Sequence, residues 1–76
     1  MTIGQAVACV TEAFWAREDG TPRGPDEQTA AEFVRETIMP ILAPFPPATQ
    51  RTIVEKVIAR GGLAPDEIEA LKKEVA

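Results

Sequence analysis

Histidine and tyrosine are absent from this 76-residue chain, and cysteine occurs once, at Cys9. Without histidine the chain cannot form a Ser–His or Cys–His pair, and without tyrosine a further acid or nucleophile is missing. A single cysteine excludes an internal disulfide, and the lack of histidine weakens the case for a zinc site. We therefore predict that the protein is not an enzyme and binds no cofactor and no metal.

Long apolar runs and clustered positive charge are also missing. No stretch approaches the roughly 20 apolar residues that a membrane-spanning helix needs, and the segment Met1 to Phe14 has no basic leader. With one cysteine and no export signal, the cytoplasm is the expected compartment. The formal net charge of −4 and the pI near 4.7 disfavour nucleic-acid binding, which requires clustered Lys and Arg side chains.

Apolar residues recur along the sequence with the periodicity of an α-helix. Hydrophobic residues make up 45% of the chain, enough for one domain over residues 1–76, although much of this content is alanine and the core is thin. The spacing predicts helices over about 2–18, 25–39, 48–60 and 65–75. The predicted inward faces are Ile3, Val7, Val10 and Phe14; Ala30, Phe33, Val34, Ile38 and Ile41; Ile53, Val54, Val57 and Ile58; and Ile68, Leu71 and Val75.

Residues with strong positional preferences mark the helix ends. Thr2 is a plausible N-cap of the first helix. A proline followed by two carboxylates predicts the start of the second helix at Pro25 and of the fourth at Pro65, after an Ala64 N-cap. Glycines predict the ends of the first helix, at Gly20, and of the third, at Gly61 and Gly62.

Pro40 leaves the second helix with two interpretations, because proline lacks a backbone donor and clashes with the preceding turn. The helix either ends there or kinks. The following segment 41–47 holds three more prolines and is interpreted as a stiff, packed connection. The sequence thus predicts an all-α fold, a small four-helix bundle of two helical hairpins joined by a Pro-rich connection. A thin core favours dimerisation.

Two side chains on the first helix invite a functional interpretation. Cys9 lies near the apolar flank and is expected to be a small buried side chain. Trp15 either anchors a contact with another protein or closes the edge of the monomer's own core. Together with the apolar segment around Pro40, it suggests a partner-binding surface formed by Trp15, Met39, Leu42 and Phe45.

By elimination, the favoured function is that of a non-enzymatic protein–protein interaction module, such as an adaptor, a small subunit or an inhibitor of a larger partner protein. The alternative is a DNA-binding transcriptional regulator that uses a helix-turn-helix over residues 51–75. Its weakness is that the fourth helix begins with Asp66 and Glu67, while Arg51 and Arg60 lie on opposite sides of the third helix.

Overall fold

The computed structural model describes residues 1–19 and 29–75, and within them the fold is all-α. Helix α1 spans Ile3–Asp19, and α2 is a continuous helix over residues 30–42 whose middle is a π-helical segment. Helix α3 spans Pro47–Arg60 and α4 spans Pro65–Val75. The radius of gyration of 11.8 Å is close to the about 11 Å expected of a compact domain of this size.

Helix α1 begins with a complete capping box. The backbone N–H of Gln5 donates to the Thr2 hydroxyl over 3.1 Å, and the Thr2 N–H donates to the Gln5 side-chain oxygen over 2.8 Å. Two N–H groups that lack helical partners are thereby satisfied, which confirms Thr2 as the N-cap. The predicted stop at Gly20 lies outside the described residues.

Helix α2 begins at Ala30, behind an extended Thr29 that serves as its N-cap. The Thr29 hydroxyl accepts the Glu32 N–H over 3.2 Å. The prediction that Thr29 lies inside the helix is wrong, and the predicted start at Pro25 lies outside the described residues. The pattern Thr29-x-x-Glu32 is itself a capping-box signature, so this start was readable from the sequence.

Helix α2 continues through Pro40, but the turn before the proline is not regularly α-helical. Residues Ala30–Phe33 and Met39–Leu42 are α-helical, and Val34–Ile38 between them form a π segment in which the Met39 N–H donates to the Val34 carbonyl. The wider π turn immediately precedes the proline, where a regular turn would press a carbonyl against its ring. The helix therefore passes through Pro40, and the predicted end at residue 39 is wrong.

The π segment also sets which residues of α2 face the core. Four of its apolar residues recur at intervals of four, and a regular α-helix would rotate each of them about 40° past the one before. A π turn, with its i→i+5 bonds, rotates less per residue and counteracts this drift. The residues kept on one buried face, each at most 7% exposed, are Ala30, Val34, Ile38 and Leu42.

The connection between α2 and α3 is short, and hydrogen bonds from the Gln50 side chain hold it in place. It covers residues 43–46, so Ile41 and Leu42, predicted as part of the connection, are helical. The Gln50 amide, in the first turns of α3, donates to the carbonyls of Leu42 over 2.9 Å and Phe45 over 3.0 Å. The Leu42 carbonyl also accepts the Phe45 N–H over 2.9 Å, so the end of α2, the connection and the start of α3 are joined by hydrogen bonds.

The core lies between all four helices. Helix α1 packs most extensively against α3 and also contacts α2, while α4 contacts both α2 and α3. The largest fully buried apolar side chains come from every helix: Phe14, Ile38, Leu42, Ile53 and Leu71. Most predicted inward positions are confirmed as buried or half-buried, but Ile3 is 39% exposed and does not belong to the core.

Candidate functional site

The four residues predicted to form a partner-binding surface do not lie on one surface. Leu42 is fully buried in the core, so its assignment to a contact surface is wrong. Met39 and Phe45 are half-buried and pack against the core, and Trp15 is 38% exposed. Leu42 is buried because the π segment turns it onto the inner face of α2.

Trp15 and Phe45 are also far apart along α3. The Phe45 carbonyl is held by Gln50 near the start of this helix, whereas the Trp15 indole lies against Gly62 just beyond its end. Ten residue steps of helix, from Gln50 to Arg60, separate these two points, which corresponds to about 15 Å. The predicted surface is therefore split between the two ends of the molecule.

Trp15 fills a place at the junction of α1 with the α3–α4 turn. Its indole is so close to Gly62 that a Cβ atom added there would collide with the indole Nε1. The Arg60 guanidinium carbon lies over the indole, 5.4 Å from the ring centroid, in cation–π geometry. Much of Trp15 thus packs within its own chain, while more than a third of its surface remains open to solvent.

Cys9 is exposed, in contrast to the buried position that the sequence suggested. The buried side of α1 is set by Val10 and Phe14, and the thiol lies about 100° or more around the helix from both. The apolar character of the neighbouring residues misled the prediction, because alanines extend along much of this helix.

A groove between α3 and α4 is the clearest concave apolar feature of the described residues. It measures about 220 Å³ and opens to solvent. Its floor consists of Val54, Ile58 and Val75, and its rim carries Arg51 and Glu55 from α3 and Lys72 from α4. An apolar floor with a charged rim is the usual composition of a protein-binding pocket. The prediction that these three residues belong to the core is confirmed, since Val54 and Val75 are buried and Ile58 is half-buried against the core, but the groove above them was not predicted.

A buried ion pair joins the C-terminal part of α1 to the start of α4. The Arg17 guanidinium lies 2.7 Å from the Glu67 carboxylate, and the two side chains are 7% and 0% exposed. The other Glu67 oxygen accepts the Ala64 N–H over 2.8 Å, which is the half of a capping box that needs no side chain at the N-cap. Glu67 therefore combines a capping role with a link across fifty residues of sequence.

Aromatic rings line the other side of this ion pair. The Arg17 guanidinium carbon lies 5.5 Å from the centroid of the Phe33 ring, which in turn packs at 5.3 Å on the Phe14 ring. The guanidinium thus contacts both a carboxylate and a ring face. The cluster formed by Arg17, Glu67, Phe33 and Phe14 joins α1, α2 and α4 through these contacts.

Among residues 1–19 and 29–75, no three His, Cys, Asp or Glu side chains come together in a way that suits a metal ion. Within the same part of the chain, no helix is both long and apolar enough to cross a bilayer.

Comparison with protein-family models, with curated proteins and with solved structures yields no match to this chain. The function of the protein is therefore inferred from its own geometry.

Proposed function

We propose that this protein is a non-enzymatic module that binds a partner protein by taking an apolar side chain of the partner into the α3–α4 groove. The observation that carries the proposal is the apolar floor of Val54, Ile58 and Val75, left open between two helices and bordered by charged side chains. An adaptor, a small subunit or an inhibitor of a larger protein would all act through such a surface.

The size of the groove supports this assignment. Its volume of about 220 Å³ exceeds the roughly 150 Å³ of a cavity that accommodates a benzene ring. One large apolar side chain therefore fits, and two smaller ones fit together. Side chains that enter such a pocket from a partner commonly contribute most of the binding free energy, while the polar rim excludes water.

Trp15 offers a second point of contact at another position on the molecule. Its exposed part lies beside Arg60 at the end of α3. Tryptophan and arginine are the residue types most enriched where interfaces gain their affinity. We propose Trp15 as an auxiliary contact, with the α3–α4 groove as the main one.

The alternative, a DNA-binding regulator that uses residues 51–75, has weaker support. Arg51 borders the groove whereas Arg60 stacks on Trp15, nine residues along α3. Phosphate contacts require cations arranged along one surface that follows the DNA backbone. Loss of DNA affinity and of its salt dependence in an Arg51→Glu, Arg60→Glu variant, measured by titration at low salt, would support this alternative instead.

Site-specific photo-crosslinking in the native cells tests the proposal. A photo-reactive side chain replaces Glu55, which is exposed on the groove rim, and in a control chain it replaces Thr37, which is exposed on α2. We expect one protein to be captured from position 55 and not from position 37. Crosslinking at both positions to the same proteins would indicate nonspecific contact.

The captured protein is then purified and its dissociation constant measured by calorimetry. Ile58→Ala removes part of the groove floor and should weaken binding by about tenfold, in line with truncation of a central interface residue. Ile3→Ala is the matched control, because Ile3 is also partly exposed but lies on α1. Equal affinities of the two variants would contradict the groove as the binding site.

Three expectations from the sequence remain proposals: the grouping of the helices into two hairpins, a homodimer, and a cytoplasmic location. Sedimentation over a wide concentration range tests the homodimer, and fractionation of the native cells tests the location. Engineered cysteine pairs across α1 and α2 and across α3 and α4 test the hairpins.

A further inference from the structure

We infer that the segment of the partner that enters the α3–α4 groove is an acidic amphipathic helix, with carboxylates flanking its apolar anchor. This inference rests on the proposed function and specifies the chemistry of its partner. It follows from the charges on the groove rim rather than from the apolar floor.

The rim differs in charge from the rest of the chain. Arg51 on α3 and Lys72 on α4 border the floor from its two sides, and among the described residues Glu55 is the one carboxylate that lines the groove. The described lining thus carries a charge of +2 − 1 = +1, in a protein whose formal net charge is −4. Complementary charge at the rim determines which partners bind and how fast they associate.

The two rim cations are not engaged elsewhere in the described part of the chain. Two other cations have carboxylate partners there, since Arg17 pairs with Glu67 and Lys73 lies 3.8 Å from Glu69. Neither Arg51 nor Lys72 comes within 4 Å of a carboxylate among the described residues. Their side chains can therefore pair with carboxylates of a bound segment without first breaking an existing ion pair.

A second copy of this chain is a poorer occupant than a different protein. A second copy would bring a chain of net charge −4 to the groove without concentrating its carboxylates beside an apolar anchor, so it matches the rim less well; a homodimer through another surface is not affected. A helix that presents carboxylates only beside its apolar residues places negative charge against Arg51 and Lys72 and inserts its anchor between them. Helices that lie in grooves are a common mode of peptide recognition.

The test uses two synthetic helical peptides with identical leucine spacing, one flanked by glutamates and the other by lysines. Each is titrated into the isotope-labelled 76-residue chain at low salt, and the backbone amide shifts of Val54, Ile58 and Val75 are followed by NMR. We expect the acidic peptide to move these signals with a dissociation constant about tenfold lower than that of the basic one, and added salt should reduce the difference.

Charge reversal at the rim sharpens the test. Lys72→Glu should weaken binding of the acidic peptide by about tenfold and strengthen binding of the basic one, because the charge that faces the peptide changes sign. Lys73→Glu is the matched control, one residue further along α4 and outside the groove, and should change either affinity by less than about twofold. Circular dichroism checks that both variants keep the helical fold.

The outcomes separate this inference from the proposed function. Equal affinities of the two peptides at the groove amides, or tighter binding of the basic peptide, would overturn the acidic preference and leave the groove as a docking site. If neither peptide shifted the groove amides, both the acidic preference and the proposed role of the groove would be overturned. Concentration-dependent shifts of the same amides without any peptide would show that a second copy occupies the groove, which also overturns the inference.

Discussion

Gly62 and the Trp15 indole are in contact only because glycine has no Cβ atom. Gly62 has a φ of +85°, and a Cβ on it would collide with the indole, while Gly61 has a φ of +82° and no atom within 4 Å of the corresponding position. Both glycines thus adopt a backbone conformation that L side chains rarely adopt, but Gly62 alone is in contact with the tryptophan.

This difference predicts distinct outcomes for two alanine substitutions. Gly61→Ala and Gly62→Ala should each lower the free energy of unfolding by about 1–3 kcal/mol, because alanine is strained at positive φ. Only Gly62→Ala should also shift the fluorescence emission of the folded protein, since it displaces the indole. Urea unfolding followed by Trp15 emission measures both quantities, and an unchanged folded-state spectrum in Gly62→Ala would contradict the contact.

The Arg17–Glu67 pair is the residue-scale contact with the largest expected effect on stability. Removing one charge of a buried pair leaves the other in a poorly solvating environment, so Glu67→Gln should cost about 3–5 kcal/mol. The matched control is Glu69→Gln on the same helix, whose pair with Lys73 is exposed at both ends and should be worth less than about 1 kcal/mol. Midpoints of urea unfolding measure the difference.

A double variant distinguishes the charge from the shape of these side chains. Arg17→Met combined with Glu67→Gln removes both charges and should destabilise the protein by less than the sum of the single changes. Additive effects would show that the two side chains contribute independently and that the ion pair does not hold α1 and α4 together.

At the scale of the element, α2 shows how a proline can be kept inside a helix. Deletion of Thr37, an exposed residue of the π segment, should make the bond from Met39 to the Val34 carbonyl an ordinary i→i+4 bond and convert the segment to α-helix. Pro40 would then lie within regular helix. Its replacement by alanine should stabilise the deletion variant by about 3 kcal/mol and the parent chain by less than about 1 kcal/mol.

Unfolding in urea of the four chains that form this cycle checks the prediction. If Pro40→Ala stabilised the parent and the deletion variant equally, the π segment would have no role in accommodating the proline. Amide exchange of residues in α2 provides a second readout, because it reports directly on the backbone hydrogen bonds of the segment.

The helix starts show how far local patterns determine the elements. Thr2 with Gln5 forms a capping box, Thr29 caps α2 through its hydroxyl, and both caps can be read directly from the sequence; α4 matches its predicted range of 65–75. The π segment could not be predicted in this way, since its register depends on burying Leu42 together with Ile38. That choice is made by the packing of α2 against α1 and α4.

At the scale of the whole molecule, the four helices share a single core, so one buried charge should affect all of them. Val57 is fully buried on α3, and Val57→Asp should abolish cooperative thermal unfolding because an unpaired carboxylate would be forced into the core. Ala59→Asp, two residues away on the exposed side of α3, should leave the melting temperature within a few degrees. Circular dichroism melts of the two variants provide the comparison.

The sequence by itself determined that this protein is all-helical, where three of its helices begin and which faces of them are buried, because periodicity, caps and prolines act over only a few residues. Tertiary structure alone decided that Leu42 is internal, that Glu67 pairs with Arg17, that Trp15 lies on Gly62, and that Val54, Ile58 and Val75 line an open groove. These features depend on how close two helices come, and residues distant in sequence set that distance. The groove that we propose as a partner-binding surface is therefore visible only in the packed molecule.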